Sequence, residues 1–147
     1  MSRRDRAEAL HDVAVVRELR SLAAEAAALR AAEAGRVLNT RRAGEAELGL
    51  KEQEGWASAM SAPAFDPQLA GFWSAALSAR AEALRAIDEE IRARDAETRT
   101  RSAQWRTAQV LADSAAQDAR SALARYRRHK EDSELADRCG VRTERRP

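Results

Sequence analysis

From Asp66 to Tyr126, apolar or small residues recur every three or four positions, and no proline follows Pro67 within the stretch. The seam reads Ala70, Trp73, Leu77, Leu84, Ile87 and Ile91, then Trp105, Ala108, Ala112, Ala115, Ala119, Ala122 and Tyr126, broken only by Arg80 and by Arg94, Thr98 and Arg101. A period near 3.5 sustained over this length predicts a coiled-coil helix, because it keeps one narrow stripe facing a partner helix. Few other folds accept such a chain.

Composition agrees. The chain has 147 residues and 44% hydrophobic residues, yet aromatics are only 4%, and charged residues reach 34%. Much of the apolar fraction is alanine, which buries too little area for a broad core and enough for a seam. Only Lys51 and Lys130 among the 26 basic residues are lysine. Arginine at this level fits a GC-rich genome and also suits carboxylate recognition at protein interfaces. A formal net charge of +2 does not by itself imply a nucleic-acid partner.

The first arm is expected over about residues 5–60, with Val15, Leu19, Leu22, Ala26 and Leu29 as its seam. The same register then meets Glu33, Arg36 and Thr40, and the apolar face continues through Val37, Leu38, Leu48 and Leu50. Gly35, Gly44, Gly49 and Gly55 each cost about 1 kcal/mol against alanine in a helix interior, which predicts a more mobile distal half. Ser61 to Pro67 holds two of the three prolines, and Asp66-Pro67 reads as an N-cap followed by the first helical position. The second arm is expected over about 67–136. The expected fold is therefore all-α, a long antiparallel two-helix coiled-coil hairpin over 1–138 with a flexible tail over 139–147.

With the bend near residue 65, facing positions sum to about 130. Ala26 then faces the neighbourhood of Trp105, and the polar interruptions of the two arms coincide. Either this is coincidence in a charge-rich chain, or Glu33 pairs with Arg94 or Arg101 and Glu33, Arg36, Arg94, Thr98 and Arg101 form a register-setting polar seam.

No catalytic constellation is legible. Asp88, Glu89 and Glu90 are consecutive and point to different sides of a helix; His11 and His129 have no cluster with metal-ligand spacing; no glycine-rich phosphate loop is present. The expectation is a non-enzymatic protein without cofactor, metal or small-molecule substrate. A single cysteine, Cys139, and the lack of a signal peptide or long apolar run point to a cytoplasmic protein.

Three features carry functional weight. The C-terminal region holds Arg120, Arg125, Arg127, Arg128, Lys130, Arg138, Arg142, Arg145 and Arg146 among five acids. Arg3, Arg4 and Arg6 form a second basic cluster that a hairpin brings toward the first. Trp56, Phe65, Phe72 and Trp73 are four of the six aromatics and lie near the bend, where adjacent Phe72 and Trp73 cannot both face inward.

This layout resembles the flagellar export proteins of the FliJ type and their type III secretion, YscO-like, relatives. The local similarity lies in Arg127-Arg128-His129-Lys130 followed by Ser133-Glu134-Leu135-Ala136-Asp137-Arg138, in Trp105-Arg106, and in Phe72-Trp73; Ser133 stands where that family usually has aspartate. The resemblance implies a monomeric stalk and adaptor without enzymatic activity. It would insert into the export ATPase hexamer, touch the membrane export gate and escort substrate chaperones, while associating peripherally with the inner-membrane apparatus. Carried over by position, the ATPase contact would comprise Arg3, Arg4, Arg6, Arg125, Arg127, Arg128, Lys130, Glu134 and Arg138. The gate contact would comprise Leu48, Trp56, Phe72, Trp73 and Leu77. The rival readings are a generic coiled-coil scaffold and a nucleic-acid-binding coiled coil using its arginines on phosphates.

Overall fold

The computed structural model describes residues 2–140. Two long helices, α1 (Arg3–Ser61) and α2 (Pro67–Arg138), pack against each other as an all-α helical hairpin, and no strand occurs among the described residues. Both N-termini are capped by short polar side chains. The Asp5 amide donates to Ser2 Oγ at 3.1 Å while the Ser2 amide donates to Asp5 Oδ2 at 2.8 Å, a reciprocal box that satisfies otherwise orphaned donors. At α2, the amides of Gln68 and Leu69 donate to Asp66 Oδ1 at 2.9 and 3.4 Å, with Pro67 at the first helical position as expected. At the other end of α2, Cys139 donates its amide to the Leu135 carbonyl and Gly140 adopts φ 68°, a left-handed conformation that glycine supplies without steric cost. Residues 141–147 of the expected tail, including Arg142, Arg145 and Arg146, lie outside the described residues.

The chain divides into two compact units. One comprises Met1–Glu25 and Ala103–Pro147, the other Ala26–Ser102. Each pairs a piece of α1 with a piece of α2.

In the Ala26–Ser102 unit, the covered face of α2 carries Ala70, Trp73, Leu77, Arg80, Leu84, Ile87 and Ile91, as the periodicity predicts. Opposite lie Ala28, Ala31, Gly35, Leu38, Glu45, Gly49, Glu52 and Ala59. Ile87, only 3% exposed, is the one large apolar side chain in the buried core among the described residues. The four glycines do not interrupt α1, and two of them make room for α2. A Cβ at Gly55 would stand 2.7 Å from the Trp73 indole, and one at Gly49 would stand 3.3 Å from Cγ of Arg80. Bare backbone here admits a ring and an arginine stem that any side chain would crowd.

The expected seam of the first arm is corrected. Val15, Leu19, Leu22 and Leu29 are 41%, 61%, 55% and 59% exposed. The face turned to α2 is one residue out of phase. In the unit that includes Met1–Glu25 it is formed by Ala7, Leu10, Ala14, Arg17, Ser21 and Ala24, set against Trp105, Ala108, Ala112, Ala115, Ala119 and Ala122. Small residues on both sides allow close approach of the backbones, and the larger stripe is left outside. The helix has two seven-residue stripes, and hydrophobicity alone selects the wrong one.

The polar seam is corrected as well. Arg36 donates to Glu33 and Arg94 to Glu97, each within its own helix and each largely exposed; Arg101 Nε lies 4.0 Å from Glu97, again within α2. Glu33 therefore meets neither Arg94 nor Arg101. Thr98 is half-buried but makes no side-chain hydrogen bond to α1 among the described residues. The register is instead held by two ion-pair clusters. Arg80 forks onto Glu52, with Nε to Oε2 at 3.1 Å and Nη2 to Oε1 at 2.7 Å, and its Nη1 also donates to Glu45. Arg42 pairs with Asp88. The Arg42–Asp88 pair meets the expected register, and the Gly55–Trp73 contact falls within a few residues of it.

Candidate functional site

Three surface features collect the residues that carry charge or exposed apolar area. The first lies in the unit of Met1–Glu25 and Ala103–Pro147. Arg3 and Arg6 from the first turns of α1 meet Arg125 and Arg128 from α2 around a recess of about 400 Å³, with Ala122 and Tyr126 as its apolar part and His129 and Asp132 at its edge. Helical spacing explains the selection: residues three apart share a face, so Arg3 with Arg6 and Arg125 with Arg128 each present paired guanidiniums. Four cations against one carboxylate give the recess a positive charge, which is chemically suited to acidic groups.

The other residues expected at this contact are distributed differently. Arg4 turns to Glu8, donating at 2.8 Å, and this hydrogen bond holds its guanidinium above the ordinary arginine pKa. Lys130 lies 3.8 Å from Glu134 along α2. Arg127 and Arg138 are exposed and do not line the recess. The exposed His129 borders it.

The second feature is the aromatic group of the Ala26–Ser102 unit. Trp73 is turned inward onto Gly55, and Phe72, 62% exposed, stands edge-on to it with ring centroids 5.2 Å apart. Trp56, Phe65 and Leu48 are also exposed. Of the expected gate contacts, Leu48, Trp56 and Phe72 are thus available to a partner. Trp73 and Leu77 are half-buried at seam positions and act in packing.

The third feature is not legible as a site in the sequence. A groove of about 900 Å³ runs between the helices in the same unit as the arginine recess. Val15 and Leu22 on α1 face Trp105, Ala116 and Leu123 on α2 across it, and Glu8, Asp12, Glu18, Glu25 and Asp113 stand along its rim. The signal that could have found it is the rival stripe of small residues, Ala7, Ala14, Ser21 and Ala28, which leaves the valine and leucines without a partner.

The ion-pair clusters of the other unit are structural. Hydrogen bonding from Arg80 holds Glu52 below the usual carboxylate range, and Arg42 does the same for Asp88. No group of three or more metal-ligating side chains occurs among the described residues, and no helix among them is long and apolar enough to cross a membrane. Comparison with known protein families, with curated proteins and with solved structures finds no match for this chain.

Proposed function

We propose that this protein is a non-enzymatic stalk and adaptor of a flagellar or type III protein-export apparatus. The observation that carries the reading is the arginine recess. Residues more than a hundred positions apart in sequence, Arg3 and Arg6 with Arg125 and Arg128, converge on one surface between the start of α1 and the later turns of α2. Such a surface suits acidic loops lining the inside of an ATPase ring. Contact that differs between ring conformations is what would let the protein bias the ring, since a ligand shifts an equilibrium only by its differential affinity. The exposed Leu48, Trp56 and Phe72 supply a separate surface for the membrane-bound export gate. In this reading the protein works as a monomer at the inner-membrane apparatus and escorts substrate chaperones.

The test is ATP hydrolysis by the host's export ATPase with and without the purified protein. Stimulation is expected, lost on truncation after Ala124 and in an Arg125→Glu/Arg128→Glu variant that keeps its helicity. No stimulation together with no co-purification sinks the reading. The exposed large apolar side chains favour one second reading, a coiled-coil scaffold without an ATPase partner, which predicts association with other helices and indifference to the arginine variant.

A further inference from the structure

We propose that the groove between α1 and α2 in the unit of Met1–Glu25 and Ala103–Pro147 is a docking site for a partner's amphipathic helix, one with an apolar stripe flanked by lysine or arginine. The proposal is independent of the export reading. The packing in this unit is the first observation. The helices meet mainly through alanine, while Val15, Leu22 and Leu123, at 41%, 55% and 41% exposure, stay outside the seam and line the groove. Large side chains beside a seam of small ones leave most of the available apolar stabilisation unused, and a third helix would recover it. The groove follows α1 from Arg4 to Glu25, about 33 Å at helical rise, or roughly six turns. Its volume of about 900 Å³ spread over that length takes a row of side chains rather than a whole helix. The occupant therefore lies along it and inserts one stripe, the helix-in-groove mode.

Charge decides the occupant. The lining carries five carboxylates, Glu8, Asp12, Glu18, Glu25 and Asp113, against two arginines. One of those arginines, Arg4, is already engaged by Glu8, and among the described residues Asp12, Glu18, Glu25 and Asp113 have no basic partner within ion-pair distance. A second copy of this chain, placed groove to groove, would set these acids against themselves. Nucleic acid and anionic lipid are repelled for the same reason. A basic-flanked helix satisfies both the apolar floor and the rim.

The test uses the full chain and three synthetic peptides of about 21 residues, long enough to span the groove. One has leucine at its a and d positions with lysine at the flanks, one has the same leucines with glutamate at the flanks, and one has the lysines with alanine in place of leucine. Titration by fluorescence anisotropy is expected to show the leucine–lysine peptide binding at least about tenfold tighter than either other peptide. Leu22→Asn/Leu123→Asn, at exposed positions that leave helicity unchanged by circular dichroism, is expected to weaken it by about tenfold or more. Glu18→Lys/Glu25→Lys should move the preference toward the glutamate peptide. Equal binding of the lysine and glutamate peptides overturns the proposal. So does undiminished binding by the folded asparagine variant, or a dimer in sedimentation that the asparagine variant abolishes, which would make a second copy the occupant.

Discussion

The two units are built from the same pair of helices and solve different problems. In the Ala26–Ser102 unit the seam contains a buried isoleucine, a tryptophan seated on a glycine, and two cross-helix ion-pair clusters. In the unit of Met1–Glu25 and Ala103–Pro147 the seam is mainly alanine, the ion pairs among the described residues run within one helix, and Val15, Leu22 and Leu123 stay exposed beside an open groove. The first arrangement fixes register and stability. The second leaves large apolar side chains exposed. Buried core and exposed apolar surface are drawn from the same small supply of large side chains, and the chain has divided that supply along its helices.

The strongest way to break this comparison is to remove the isoleucine. Ile87→Ala is expected to destabilise by about 3 kcal/mol, whereas Ala122→Gly in the other seam should cost about 1 kcal/mol. Urea denaturation of both variants measures the contrast, and equal losses would mean that the two seams are packed alike. A smaller effect sharpens it within α1 alone. Gly55→Ala forces a Cβ into the Trp73 ring and is expected to cost about 1–3 kcal/mol, while Gly35→Ala, with open space around its Cβ, should be neutral or stabilise by up to about 1 kcal/mol. Calorimetric melting of the two variants in parallel separates a packing glycine from an incidental one; a stabilised Gly55→Ala would show that Trp73 is not seated there.

Acid should loosen the same unit. Glu52 and Asp88 have folded-state pKa values below their ordinary ones because Arg80 and Arg42 hydrogen-bond their charged forms. Each contribution is fully present above the ordinary carboxylate pKa and is lost as pH falls through the lowered folded value. Amide protection around Glu52, measured against the unstructured-chain rate at the same pH, is therefore expected to fall below about pH 4, and Arg80→Ala to show lower protection already at neutral pH with a flatter acid dependence. An unchanged acid profile in Arg80→Ala would remove the cluster from its register role. The smallest effect is reserved for Glu33→Ala, expected within about 0.5 kcal/mol because its partner Arg36 lies on the same exposed face. A loss of several times that size in urea would restore Glu33 to the interface.

The contrast between the arms explains what was legible. In the part of α2 that belongs to the Ala26–Ser102 unit the periodic residues are large enough to mark one stripe, so Trp73, Leu84, Ile87 and Ile91 fall where the spacing puts them. In α1 two stripes compete, and the one with the greater hydrophobicity is the one left outside. Arg80 reads as a flaw in the seam because its partners, Glu45 and Glu52, are distant in sequence and are recognised only once the helices face each other. The convergence of Arg3 and Arg6 with Arg125 and Arg128 follows from the hairpin topology; which arginines take part follows from helix phase.

Local chemistry is enough to fix two helices, the proline-marked break between them and the Asp66 cap, because propensity, period and capping act over a few residues. Which face of α1 meets α2 depends on the fit between side chains that are distant in sequence and lie on different helices. A glycine accepts an indole, an alanine accepts an alanine, and a carboxylate meets a guanidinium only across the interface. Those choices belonged to the tertiary structure, and with them the division into a seam that holds and a groove that is open.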